Sequence, residues 1–170
     1  LALMGDNLDN TALKGVKIDV IMGRHAGFLT GAAALARQNE TDGPHLIYLP
    51  EVAFDENRFA DDVAGCLDRL GRCVIAVSEG ITREDGSPVY TSGEKDSHGN
   101  VQLSGTGALG DYLSGIVKEK IPAASRVRAD TLGYMQRCFP SIRSEVDASE
   151  ARAAGAFAVR SMVEGELSSG

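Results

Sequence analysis

The sequence has no apolar run long enough to span a bilayer, no charged-then-apolar leader and no surplus of basic residues. The first two absences leave nothing that addresses the chain out of the cytoplasm, where it is expected to reside. The third is a matter of 17 Lys and Arg against 24 Asp and Glu, a formal net charge of -7. The average field around such a chain repels phosphate backbones and anionic lipid, so nucleic acid and membrane surfaces are not expected partners. An anionic small molecule would have to be gripped by a few local Arg or Lys residues inside a cleft. Tryptophan is absent, and the three cysteines, Cys66, Cys73 and Cys138, are odd in number with no CxxC spacing. Cys66 falls in a helical apolar pattern and Cys73 opens an apolar strand pattern, which reads as reduced, buried thiols. His25, His45 and His98 stand at no ligand spacing from them, so no metal site is expected.

What is present is ordinary: 170 residues, 43% hydrophobic and 24% charged, make one soluble globular unit with a real core. The first residue is Leu1, and the chain is read as an internal piece of a longer protein.

Val16, Ile18 and Val20 alternate with Lys17 and Asp19 as in a strand, and after Met22-Gly23-Arg24-His25-Ala26-Gly27 an apolar helical pattern begins at Phe28, Ala32 and Leu35. A second strand, Leu46 to Leu49, leads through Pro50-Glu51 to a helix with Phe59, Val63, Cys66, Leu67 and Leu70 on one face. Cys73 to Val77 is an almost unbroken apolar run, the pattern of a parallel strand covered on both faces, and it stops at Ser78-Glu79-Gly80. Residues 82–107 are polar and Gly-rich and read as a long surface connection. Leu109, Tyr112, Leu113, Ile116 and Val117 mark a helix closed by Pro122, and Val127 to Leu132 a fourth strand ending at Gly133. A last helix is expected from Asp147, whose spacing to Glu150 fits a capping box. Strands alternating with amphipathic helices predict an α/β fold with a mostly parallel, helix-covered sheet, whose ligands sit beyond the carboxyl ends of the strands.

Three strand ends then gather the candidates for chemistry: Arg24 after the first, Glu79 after the third, and Tyr134-Met135-Gln136-Arg137 after the fourth. An Arg between a Gly and a helix start suits an anion, through bidentate contacts and the free N–H groups of the helix, although a surface Arg there is also commonly solvated or paired with a carboxylate. Glu79 suits sugar hydroxyls or a neighbouring Arg, and equally a structural ion pair. Arg126, Arg128 and Arg137 form a basic cluster against the overall charge. Arg128 and Tyr134 share a face only if the extended chain continues through Gly133. The Gly-rich stretch Ser104 to Gly110 lacks the Lys-Ser/Thr ending of a phosphate loop and reads as a helix entry, and Asp61-Asp62 as solvent-facing charge.

The segment Met22 to Phe28, followed in order by Ile47-Tyr48-Leu49-Pro50-Glu51, Val74 to Gly80 and Val127 to Arg137, resembles the phosphofructokinase family over about residues 14–165. The resemblance implies the fructose 6-phosphate lobe of that fold, spanning 1–170, with the donor-binding lobe largely absent. It implies that Met22, Gly23 and Arg24 touch fructose 6-phosphate, that Arg24 also neutralises charge on the phosphoryl group in flight, and that Glu79 holds sugar hydroxyls. By the same resemblance Tyr134, Met135, Gln136 and Arg137 bind the sugar and its 6-phosphate, and Arg128 reaches the 6-phosphate of a neighbouring subunit, which implies a homo-oligomer. Tyr134, where the bacterial ATP enzymes have His, and the similarity of His25-Ala26-Gly27-Phe28 to the pyrophosphate group favour pyrophosphate over ATP as donor. The catalytic Asp and the Mg²⁺ site would lie upstream of Leu1, with no metal ligands in this chain and no transferase activity in it alone. Cys138-Phe139-Pro140 departs from the family, which has Gly or Ser after the Arg. A non-catalytic sugar-phosphate-binding subunit and an unrelated α/β domain with structural arginines are the competing readings.

Overall fold

A computed structural model describes residues 1–91, 107–136, 139 and 142–165, with the backbone alone at 135. The chain forms two compact units, Leu1–Gly133 and Tyr134–Gly170.

The first unit is built on four parallel strands, β1 (Gly15–Ile21), β2 (Leu46–Tyr48), β3 (Arg72–Ser78) and β4 (Val127–Thr131), in the order β2-β3-β1-β4. All seven residues of β3 are buried, as its unbroken apolar run predicts for a central strand. The helices are α1 (Ala2–Leu13), the short α2 (Phe28–Ala32), α3 (Glu56–Leu70) and α4 (Ala108–Lys120).

The two faces of the sheet differ. Val16, Ile18 and Val20 of β1 with Cys73, Ile75 and Val77 of β3 face α3 and α4 and make the main core with Phe59, Val63, Leu113 and Val117. Phe59 has no exposed surface, and rings of Tyr48, Phe54 and Phe59 meet at centroid distances of 5.4–5.6 Å. Burying a side chain of that size is worth about 1.5–3 kcal/mol. The opposite face carries Lys17, Asp19, Arg72 and Asp130 together with Val74 and Ala76, under α1.

Helix α1 is an element the sequence pattern does not announce. Its buried positions are Leu3, Asn7 and Asn10, so its inner face is largely polar, matched to a polar sheet face. Asn7 Oδ1 accepts from Arg72 Nη1 at 2.9 Å and from the Gly43 amide at 2.8 Å, which neutralises the cost of placing a guanidinium under a helix. The helical pattern at Phe28, Ala32 and Leu35 is only a five-residue α2 followed by a 3-10 turn at Ala33–Ala36, and Phe28 and Leu35 are exposed. Asp61 is exposed as expected, whereas Asp62 is half-buried and accepts from the Tyr48 hydroxyl at 3.0 Å. Burial and that carboxylate raise the Tyr48 pKa.

In the second unit the last helix, α5, spans Glu145–Val163. Its N-cap is Ser144, whose Oγ accepts from the Asp147 amide at 3.2 Å, so the cap sits three residues before the one the Asp147–Glu150 spacing suggests. Ser144 with Asp147 offers the same three-residue spacing of a capping oxygen to an acid, and its extended backbone suits a cap. No helix among the described residues is long and apolar enough to cross a membrane.

Candidate functional site

The strand alternation ends at Ile21, and the next residues must turn away from the sheet. Gly23 does so at φ 155°, and a Cβ there would fall 2.6 Å from the Ala26 carbonyl oxygen and 2.8 Å from Ser78 Oγ, so the turn is closed to other residues. Gly80, in the turn after β3, passes so near that an added Cβ would lie 2.0 Å from the Arg24 carbonyl oxygen. Two glycines thus let the turns after β1 and β3 pack backbone to backbone, and the contact is pinned by Glu79 N–H to Ile21 O at 2.9 Å and Gly80 N–H to Gly23 O at 3.2 Å.

This contact brings together four of the residues expected from sequence. Met22, Gly23 and Arg24 are half-buried, and Glu79 beside them is 8% exposed, its Oε1 facing the Gly23 N–H at 3.5 Å. Among the described residues the Arg24 guanidinium has no hydrogen bond and no ion pair, so the carboxylate-paired alternative does not hold there. An unpaired, half-buried cation beside a buried carboxylate, at the carboxyl ends of the two central strands, suits a ligand with both phosphate and hydroxyl groups.

Arg128 is elsewhere. It is exposed on β4 in register with Lys17, five residues before Met22 on β1, which puts it about 16 Å down the sheet. There it lines a small cleft with Lys14, Lys17, Arg126 and Asp9, and Asp9 pairs with Arg126 at 3.3 Å. A single copy of the first unit therefore does not bring Arg128 to Arg24. The extended chain does not run on to Tyr134: β4 ends at Thr131 and residues Gly133–Gln136 coil into a 3-10 turn, with Gly133 at φ 55°. Tyr134 is exposed and Gln136 half-buried within the second unit. Arg137, Cys138, Pro140, His98 and Ser104 to Thr106 lie outside the described residues, as does the Met135 side chain.

Two further clusters stand away from this crevice. Asp19 is fully buried, neither of its oxygens has a hydrogen-bond partner among the described residues, and Lys17 Nζ lies 3.9 Å away. The same ammonium contacts Asp6 at 3.2 Å and Asp130. Burial, then the nearby Asp6, pushes the Asp19 pKa up to about 8. Burial works against the charge on Lys17, but Asp130, Asp19 and Asp6 outweigh it and raise its pKa. With an ammonium seated among the three carboxylates, and the cluster on the helix-covered face rather than at the strand ends, these residues do not fit a Mg²⁺ ion.

His45 does approach the thiols, which linear spacing could not reveal: its ring nitrogen and the sulfurs of Cys66 and Cys73 lie within 4.8 Å of one another. Both ring nitrogens are occupied, Nδ1 accepting from Val74 N–H at 2.8 Å and Nε2 meeting Thr41 O at 3.1 Å, and burial lowers its pKa. Cys66 and Cys73 are fully buried free thiols, as expected. Their mutual hydrogen bond lowers the pKa of Cys66 and raises that of Cys73. This is packed core with satisfied polar groups.

Residues 6–162 match the family model described as Phosphofructokinase, so the chain belongs to the phosphofructokinase family. It is 56% identical over 163 residues to a pyrophosphate–fructose 6-phosphate 1-phosphotransferase of Rhodospirillum rubrum, covering 94% of this chain and 40% of that protein. A protein of the same name from Halomonas elongata is 36% identical over 146 residues, covering 86% of this chain and 34% of its own length. A crystal structure of a pyrophosphate-dependent phosphofructokinase from Marinobacter aquaeolei superposes with a TM-score of 0.72 at 28% identity, over 96% of this chain and 37% of that one. The chain thus spans well under half the length of these relatives.

Sequence reading passed over Ser78 and Glu51, which lie inside two of the recognised motifs and bond the Met22–Gly27 turn. Their position at strand ends was the available signal.

Proposed function

We propose that this chain is the acceptor-binding part of a phosphotransferase that carries a phosphoryl group from pyrophosphate to the 1-hydroxyl of fructose 6-phosphate, yielding fructose 1,6-bisphosphate. The observation that carries this reading is half-buried Arg24, whose guanidinium has no partner among the described residues, on a turn that needs glycine at 23 and at 80 and that Glu79 adjoins through the Gly23 N–H. Arg24 binds and neutralises phosphoryl oxygens, and the Met22-Gly23 backbone shapes the floor. Glu79 accepts from sugar hydroxyls. For Tyr134, Met135, Gln136 and Arg137 the family resemblance supports a role in binding the sugar and its 6-phosphate.

Arg128, some way down the sheet, serves the 6-phosphate of a neighbouring copy, which makes the working protein a homo-oligomer. The names of the relatives from R. rubrum and H. elongata support pyrophosphate as donor. The reaction belongs to glycolysis in the cytoplasm and uses Mg²⁺ held by another part of the protein. In-line transfer depends on positioning and charge stabilisation, and Arg24 is this chain's contribution to the second.

Isothermal titration of fructose 6-phosphate into the chain tests the acceptor role. Saturable binding is expected, weakened by about 1.5–3 kcal/mol in Arg24→Ala as charge-assisted hydrogen bonds are lost. The donor is tested on the longer natural polypeptide, which is expected to form fructose 1,6-bisphosphate faster with pyrophosphate than with ATP. A folded longer polypeptide that neither binds the sugar phosphate nor turns it over would overturn the assignment.

A further inference from the structure

The turn that presents Arg24 is fastened at both ends by side chains from two other strand ends. At its start, the fully buried Ser78 donates from Oγ to the Gly23 carbonyl at 2.5 Å, supplementing the backbone bond from Gly80 N–H. At its close, Glu51, in the turn after β2, accepts from the buried Gly27 N–H at 2.8 Å. Between these points lie only Arg24, His25 and Ala26, and Gly80 packs directly against the Arg24 backbone. The result is a locked main chain bearing a guanidinium that has no partner among the described residues.

Ser78 and Glu51 are not themselves required by the fold at these places. The last residue of β3 could be apolar, like the five before it, and Glu51 is an exposed residue in a loop. Their polar atoms are spent on one turn. Ordering a site before its ligand arrives removes an entropic cost from binding, and a bidentate Arg contact loses value quickly when its backbone drifts.

From this convergence we infer that Ser78 and Glu51 are positioning residues for Arg24: they touch no ligand and act by holding the Met22–Gly27 turn in its binding geometry. The inference rests on the sugar-phosphate reading above for its functional consequence, but the clamp itself can be observed without any ligand.

The test compares Ser78→Ala, Glu51→Ala and Glu51→Gln with the parent chain, all checked for equal secondary structure by circular dichroism. Amide hydrogen exchange at residues 23–27 is followed by NMR, and fructose 6-phosphate affinity by calorimetry. Loss of either hydrogen bond is expected to speed exchange in the turn and weaken the sugar phosphate by about tenfold, the equivalent of one such bond. Glu51→Gln keeps an acceptor oxygen and is expected to restore both. A merely structural role would lower the melting temperature, with no effect on affinity and no rescue by Gln. Unchanged exchange in the turn of both Ala variants would overturn the clamp whatever the binding result. If the parent chain and the longer polypeptide both fail to bind, the sugar-phosphate reading falls, and the exchange rates alone then decide the clamp.

Discussion

Arg24 shows how much one residue's neighbours decide. Its type and its place after Gly23 were readable in the sequence, but whether a carboxylate neutralises it was not, because pairing depends on residues far along the chain. The structure leaves it without a described partner and sets Gly80 against its backbone. Gly80→Ala is therefore expected to displace the Arg24 turn and to abolish sugar-phosphate binding while leaving most of the far-ultraviolet dichroism intact. Retained binding in that variant would mean that the turn is not part of the site.

Asp19 makes a residue-scale prediction of another kind. Its folded pKa, near 8, lies above the ordinary 3.8, so the fold favours the protonated form. The stability this contributes is complete at low pH and is lost as pH rises from about 4 to about 8, at up to about 1.4 kcal/mol per pH unit for one proton. Asp6, Lys17 and Asp130 face the same carboxyl group, so the observed slope is that of the cluster. Urea unfolding across this range is expected to give a flatter profile for Asp19→Asn than for the parent chain, and equal profiles would contradict the shift. Nothing in the alternation of Val16, Ile18 and Val20 with Lys17 and Asp19 distinguished a solvent-facing strand side from one sealed by a helix.

Among the elements, legibility followed the kind of surface each one buries. The strand β3 and the inner faces of α3 and α4 bury hydrocarbon, and their periods of burial stand in the sequence. Helix α1 covers the charged side of the sheet, so its inner positions are two asparagines and a leucine and carry no apolar period. The start of α5 was misplaced because Ser144 and Asp147 offer the same capping chemistry that the next acidic pair offers. The polar docking of α1 is testable: Asn7→Ala removes the side-chain oxygen that accepts from the buried Arg72 and from the Gly43 amide, and is expected to cost about 1–3 kcal/mol. Leu8→Ala on the outer side of the same helix, at a residue 71% exposed, is expected to stay within about 0.5 kcal/mol of the parent. Comparable losses from both would mean that α1 does not dock through Asn7.

For the whole molecule, the fold class and the order of strand-end motifs were legible because a parallel sheet places its ligand groups at the carboxyl ends of its strands, and sequence order reports those ends directly. The separation of Arg128 from Arg24 was not, since it depends on the register of β4 against β1. Both basic groups were visible as residues, but only the register shows that they stand at different levels of the sheet and cannot grip one ligand in a single copy of the first unit.

The most direct measurement is an amide NMR titration of the chain with fructose 6-phosphate, repeated on Arg24→Ala. Saturable shifts in the first unit confined to Met22–Gly27 and Ser78–Ile81, and lost in the variant, are the predicted result. Saturable shifts centred instead on Lys14, Arg126 and Arg128, or shifts that persist unchanged in Arg24→Ala, would contradict an acceptor site built on Arg24.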